Sequence, residues 1–372
     1  MQSCFPGKLG LFSLEVFMIK LSRVLATLCS AGIILSATSP ALAQASQQSG
    51  LKVDVPATAD STATQTSNSV STQKQQRPKI GLALGGGGAR GAAHVGVLKV
   101  LLEEGVPIDV VAGTSIGSVV GGFYAAGVPI EKLSEEFGDS RLMKNFMTVP
   151  ISVRVLLAPI LFAPRLIGFH PYDGLYRGGK FRTYANNLVG EKHELSKLSI
   201  PYAAVVTDLV SGESCRLSTG DLGTAMQAST AVPGLRKPVE IDGHLFCDGG
   251  LINNLPVDHV KALGADFIIA VNIDELMETV PISHFRKAGS VSTQALKIQL
   301  YNLDKRPGQM ADVTIHPDTT GISLISRKKS DGCRGIEAGE TAARAAMPDI
   351  RRKLAALGVE LPGKQASVSI SR

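Results

Sequence analysis

The sequence predicts an α/β protein, a three-layer α/β/α domain with a mainly parallel central sheet. Three observations carry this. Apolar runs of strand length alternate with helical apolar periodicity from residue 79 onward. A glycine-rich loop, Gly85-Gly86-Gly87-Gly88, joins the first such run to a helical segment. Further on, Gly113-Thr114-Ser115-Ile116-Gly117 again joins an apolar run to a helix. Strands that feed helices through tight glycine turns suit a parallel sheet covered by helices.

The front of the chain reads differently. Lys20 and Arg23 precede an apolar stretch at 24–36, and Ala41-Leu42-Ala43 follows before Gln44. Charged, apolar and small-residue segments in that order predict a secretory signal peptide over residues 1–43. Such a signal begins naturally at Met18, and its apolar stretch is short for a membrane span. Export to the periplasm, the medium or a membrane surface is the expectation. Residues 44–78 are rich in Ser, Thr, Gln and Ala, with almost no large apolar side chains. Such a segment buries too little surface to offset its ordering entropy, which predicts a disordered linker.

Regular pattern begins with an apolar strand at 79–84. A helix at 92–104 follows, with Val95, Leu98, Leu101 and Leu102 on one face and Gly105 as its stop. A strand ends at 110–112, and a helix at 116–126 stops before Gly127 and Pro129. Strands at 202–208 and 267–273 and a helix at 221–230 complete a domain at 79–273. Residues 274–360 form an extension packed on the same domain, with helices near 283–303 and up to 357 around a strand near 312–316. Ligands of such sheets collect at the carboxyl ends of strands, where both glycine turns lie.

Residues 146–182 break the alternation. This stretch is strongly apolar, includes Leu156, Leu157, Ile160, Leu161 and Phe162, and is interrupted by Pro150, Pro159 and Pro164. Two readings fit: a helical insertion packed on the core, or a cap that lines an apolar pocket and meets a membrane interface.

Composition limits the function classes. The net charge of +6 falls to +4 without Lys8, Lys20, Arg23 and Glu15 of the first segment, and the basic residues are scattered. With no Trp and 5% aromatic residues, nothing here builds a stacking platform for nucleic acid. Past residue 43 the cysteines are Cys215, Cys247 and Cys333, an odd set whose spacing suits neither a disulfide framework nor zinc.

The chemistry-bearing residues lie in loops. A serine in G-x-S-x-G after a buried strand stands on a sharp strand-to-helix bend with its hydroxyl exposed. Ser115 is therefore the candidate nucleophile, against the plainer reading of a helix N-cap. Backbone N–H groups of Gly86, Gly87 and Gly88, with that of Ile116, are candidate donors to a developing oxyanion. The same glycines fit G-x-G-x-x-G with Asp109 downstream, but Asp109 precedes its strand, whereas a ribose-binding acid follows one. Asp248, in Cys247-Asp248-Gly249-Gly250, is the candidate base, and Asp-Gly-Gly is otherwise a turn former. A Ser–His–Asp arrangement through His244, His259, His284 or His316 is the alternative. His94 reads as a packing or capping residue.

Together, 86–91 (GGGARG), 113–117 (GTSIG) and 248–250 (DGG) resemble the patatin-like phospholipase family in order and spacing. ASTAVPGL at 228–235 and NNLPV just after Gly250 extend the likeness, which runs over about 80–273. The resemblance implies a lipid acyl hydrolase in which Ser115 is the nucleophile and Asp248 its direct base. It also implies an oxyanion hole from the first loop with help from Arg90, and no metal or cofactor. A phospholipid or other lipid ester is the implied substrate and a membrane surface the implied partner. A family member that binds membranes or partners with little turnover is the alternative.

Overall fold

The computed structural model describes residues 53–54 and 77–362, apart from 164–167, 192, 278 and 288. The expected signal peptide, most of the expected linker and the side chains of Leu161 and Phe162 lie outside the described residues. Where the linker is described it departs from the expectation. Val53–Asp54 (β1) is an edge strand, and Arg77 grips Asp109 through two hydrogen bonds of 2.7 Å.

The remaining strands are β2 (Ile80–Leu84), β3 (Val110–Thr114), β4 (Tyr202–Asp208), β5 (Ser214–Leu217), β6 (Val239–Ile241), β7 (His244–Asp248), β8 (Phe267–Val271) and β9 (Val313–Ile315). They join one sheet in the order β1-β5-β4-β3-β2-β8-β9, with β7 also on β4 and β6 on β7. The stretch from β4 to β9 is parallel throughout, while β1, β5, β6 and β7 form an antiparallel flank. Every residue of β2, β3, β4 and β8 is buried, as parallel strands covered on both faces require.

The helices are α1 (Ala92–Glu103), α2 (Ile116–Ala125), α3 (Ile130–Gly138), α4 (Arg141–Phe146), α5 (Ile151–Leu156), α6 (Ala158–Phe162), α7 (Gly179–Val189), α8 (Leu222–Ser229), α9 (Val257–Ala262), α10 (Ser290–Met310) and α11 (Lys329–Ala356). Alternate strand residues point to opposite faces. Leu82, Leu84, Val111, Val206 and Ile269 enter the larger core, with α1, α2, α8 and α11. Ala83, Ala112, Val205 and Ala270 enter a smaller core closed by Val257 and Val260 of α9. Helices on both sheet faces make the three layers.

The antiparallel flank and the short helices α3, α4, α7 and α9 are additions to the sequence reading. The β6–β7 hairpin has a legible cause: Asp242-Gly243 turns with φ of 50° and 84°, the positive-φ pair that a two-residue hairpin loop needs.

The insertion packs on the core only in part. Met147, Tyr176 and Phe181 are buried, and the partly buried Ile151 of α5 packs against the larger core. That helix buries none of its residues, and Leu156 and Ile160 are 79% and 70% exposed. Among the described residues, no helix is long and apolar enough to cross a membrane.

One register relationship positions everything that follows. β5 and β7 both pair with Val206 and Thr207, so they hold opposite edges of β4. β7 therefore shares the edge occupied by β3, and the two meet end to end. Thr114 closes β3 opposite Val205, and Asp248 closes β7 opposite Val206. Ser115 and Asp248 are brought together by consecutive positions of a third strand.

Candidate active site

Ser115 sits between β3 and α2 with φ 52° and ψ −122°, a conformation that costs a non-glycine residue about 1–3 kcal/mol. The bend is held from several sides. The Ser115 N–H donates to Ser229 Oγ at 2.9 Å, and that hydroxyl donates to the Val205 carbonyl at 2.6 Å. Thr114 Oγ1 donates to the Asn253 carbonyl at 2.8 Å. Gly113 and Gly117 are required because the turn folds onto itself. A Cβ at Gly113 would lie 2.3 Å from the Gly117 carbonyl, and one at Gly117 2.2 Å from that of Leu84. The result is a strained strand-to-helix turn with Ser115 at its bend.

Ser115 Oγ donates to Asp248 Oδ2 at 2.7 Å. Asp248 Oδ1 accepts the Gly250 N–H at 2.9 Å, and the Asp248 N–H donates to the Ala231 carbonyl at 3.1 Å. Burial pushes this carboxyl up to about 6, against the Ser115 and Gly250 hydrogen bonds and the nearby Arg236 cation, which favour its charge. It is ionised at neutral pH yet close to the range where a general base works best.

The histidines are engaged elsewhere. His244 Nδ1 is 2.9 Å from Asp208 Oδ2, His259 Nε2 is 2.9 Å from Ser214 Oγ, and His94 Nε2 donates to the Gly85 carbonyl at 2.8 Å. His94 thus supports the glycine loop from inside the core, where burial lowers it to about 4. A Ser–His–Asp relay is not assembled, since both Asp248 oxygens accept from Ser115 and Gly250.

Two expected oxyanion groups need correction. The Gly86 N–H donates to the Asn254 carbonyl at 3.1 Å, so it is unavailable to substrate. The buried Arg90 guanidinium points away. Its Nε donates to the Ile322 carbonyl at 2.9 Å and Nη2 to Glu275 Oε1 at 2.6 Å, with Asp274 at 3.7 Å. Arg90 lines a neighbouring cavity of about 420 Å³ and pins the glycine loop to the C-terminal segment. Gly87, Gly88 and Ile116 do line the cavity around Ser115. The Ile116 N–H lies in the first turn of α2, where donors lack helical partners and the dipole favours an anion.

Three residues with no assigned role in the sequence reading join the site. Ser229 anchors the bend. Asn254 links the loops, its Nδ2 donating to Asp274 Oδ2 at 3.0 Å and Asp304 Oδ2 at 2.9 Å. Arg236 is buried and donates to Thr230, a residue of the cavity wall. Ser229 and Asn254 lie in ASTAVPGL and NNLPV, and Arg236 just follows the first, but their contacts span too much sequence to be read from spacing.

The cavity over Ser115 and Asp248 measures about 210 Å³ and has mostly apolar walls, among them Met143, Phe146, Met147, Leu235, Leu296 and Leu300. Phe146 and Met147 open the apolar insertion, so its first residues wall the pocket while α5 and α6 run outward. Among the described residues, no three His, Cys, Asp or Glu side chains are grouped to hold a metal, and Cys215, Cys247 and Cys333 are free.

Residues 82–261 match the family model described as Patatin-like phospholipase. An uncharacterized NTE family protein of Mycobacterium tuberculosis is 38% identical over 199 residues, covering 53% of this chain and 49% of that one. Patatin-like phospholipase domain-containing protein 6 of Homo sapiens is 37% identical over 202 residues, covering 54% of this chain and 14% of that one. The chain thus spans about half the length of the mycobacterial relatives it matches. Among solved structures, VipD from Legionella pneumophila aligns with a TM-score of 0.43 at 15% identity, covering 74% of this chain and 67% of that one. Human GIVD cytosolic phospholipase A2 aligns with a TM-score of 0.40 at 11% identity, covering 76% of this chain and 60% of that one. These findings identify a patatin-like phospholipase domain over residues 82–261, just under half of the chain.

Proposed function

We propose that this protein is a serine lipid acyl hydrolase working through a Ser115–Asp248 dyad. The observation that carries the reading is the 2.7 Å hydrogen bond from Ser115 Oγ to Asp248 Oδ2 at the floor of an apolar cavity. Asp248 accepts the proton as Ser115 Oγ attacks the ester carbonyl. The tetrahedral oxyanion is met by the N–H groups of Gly87, Gly88 and Ile116. As it collapses, the C–O bond to the alcohol breaks and Asp248 returns the proton to the leaving oxygen. Water, giving its proton to the same carboxylate, then attacks the acyl-enzyme. The bond from the acyl carbon to Ser115 Oγ breaks, Asp248 returns the proton to that oxygen, and the fatty acid leaves.

Apolar walls favour an acyl chain, so a phospholipid or other lipid ester is the substrate class proposed. Access is from a membrane surface, which the exposed apolar side chains of Leu156, Ile160 and Phe169, each at least 70% exposed, would meet. Export by residues 1–43 completes the proposal. The test is hydrolysis of a short-chain chromogenic ester by the purified protein, lost in Ser115→Ala. A wild-type protein without turnover, or a folded Ser115→Ala protein with substantial turnover, would overturn it.

A further inference from the structure

Arg236 is 1% exposed and forms no ion pair among the described residues. Its guanidinium lies 4.3 Å from the Phe146 ring centroid and 4.9 Å from that of Phe181. Nη1 donates to Thr230 Oγ1 at 2.7 Å and Nη2 to the Gly178 carbonyl at 3.3 Å, while buried Nε has no acceptor. Two aromatic faces offset part of the cost of desolvating this cation. An interior charge without a counter-ion nevertheless remains expensive.

The geometry says where that charge acts. Thr230, which accepts from Nη1, lines the same cavity as Asp248 and Phe146. Ala231, the next residue, accepts the Asp248 N–H. The guanidinium therefore holds the segment to which the backbone of Asp248 is hydrogen-bonded. We propose that Arg236 is a positioning residue for Asp248, supplying the counter-charge that keeps it a carboxylate and anchoring the backbone on which it hangs. This rests on the dyad reading above.

The other groups near Asp248 cannot take that part. Ser115 of α2 donates to it without charge. The Cys247 thiol beside it is pushed up to about 12, chiefly by burial, and is neutral. Asp208 of β4, held at about 2 by His244 and the Val210 and Ser211 donors despite its burial, has the wrong sign. Phe146 of α4 and Phe181 of α7 do not titrate. Burial lowers Arg236 itself to about 9, so it is charged where the enzyme would work.

The experiment compares Arg236→Gln, which keeps hydrogen-bond donors but no charge, with Arg236→Lys, which restores a cation. The Asp248 carboxyl is titrated by carbon-13 NMR in the Ser115→Ala background, and kcat/KM for a soluble ester is followed against pH with Ser115 intact. The Gln variant should titrate about one pH unit higher, because an opposite charge has been removed. Its kcat/KM should fall about fivefold at pH 6 and approach wild type above pH 8. The Lys variant should stay within about half a unit of wild type, since a lysine there is still protonated at pH 6. An unmoved carboxyl titration in the Gln variant, or an equal loss of rate at every pH, would overturn the proposal. If Gln prevents folding, the Lys variant decides, and a limb displaced by a full unit refutes the counter-charge role. A wild-type protein that hydrolyses no ester would remove the hydrolase reading, and the carboxyl titration would still decide the part played by Arg236.

Discussion

The Asn254 carbonyl accepts the Gly86 N–H at 3.1 Å, stitching the loop after Asp248 to the glycine loop after β2. The same residue's side-chain amide lies between the buried carboxyls of Asp274 and Asp304. Burial raises both carboxyls, and the charge of Asp274 raises Asp304 further. One asparagine thus ties both halves of the site to the C-terminal segment.

Asn254→Ala should lower the melting temperature by several degrees. It leaves two buried acids without their shared donor, at about 1–3 kcal/mol for each unsatisfied group. Thermal unfolding followed by circular dichroism checks this, and an unchanged melting temperature would contradict the linking role.

Gly88→Ala should reduce kcat by about a hundredfold or more, the usual effect of losing an oxyanion donor. Gly88 has φ 57°, and a Cβ there would lie 2.2 Å from the Leu324 carbonyl, so the loop must shift. Steady-state kinetics on a soluble ester decide it. A loss confined to KM would argue that the loop binds substrate without meeting the oxyanion.

Asp248→Asn should remove activity almost as fully as Ser115→Ala, while His244→Gln, His259→Gln and His316→Gln each stay within a few-fold of wild type. The Asn variant should also be more stable at pH 7.5. The folded pKa of Asp248, about 6, lies above the unfolded value. Its stabilising contribution is therefore complete below about pH 4 and is lost as pH rises through about 6. At about 1.4 kcal/mol per unit, the buried charge costs about 3 kcal/mol at neutral pH. Melting curves of both proteins at pH 4 and pH 7.5 should converge at the lower value and separate at the higher.

The pH profile of kcat/KM should show a single acid limb near pH 6, with rate rising as Asp248 ionises and a plateau above. The sign follows from the role: the carboxylate, not the acid, accepts the serine proton. A limb near pH 4 would mean that the working carboxyl is not desolvated.

Replacing Leu156 and Ile160 by serine should reduce turnover on phospholipid vesicles about tenfold or more and leave the soluble ester nearly unaffected. Both side chains are at least 70% exposed, so the change should not lower the melting temperature. Equal losses on the two substrates would retire the interfacial patch.

Ser115 is legible in the sequence because a strand-to-helix bend is a local device: strand, small residues and helix lie within a few positions. The parallel strands are legible for the same reason, as continuous apolar runs. Asp248 needs the likeness to a family, since its partner is fixed by pairing across β4. Gly86 and Arg90 show where local reading stops. Whether a loop N–H is open depends on which distant carbonyl reaches it, here that of Asn254. Likewise Arg90 is drawn off by Glu275 and Ile322, residues remote in the chain. Arg236 reads as one more basic residue until Phe146 and Phe181 close around it.

Because β3 and β7 dock end to end on one edge of β4, the gap between nucleophile and base is quantised. It changes only in whole strand steps of about 3.3 Å, and a one-residue slip would also turn the affected side chains to the opposite face. Residues 202–208 therefore act as a ruler. Substitutions there that keep the count should be tolerated by the proposed chemistry, while a single insertion should abolish it with every reactive group still present.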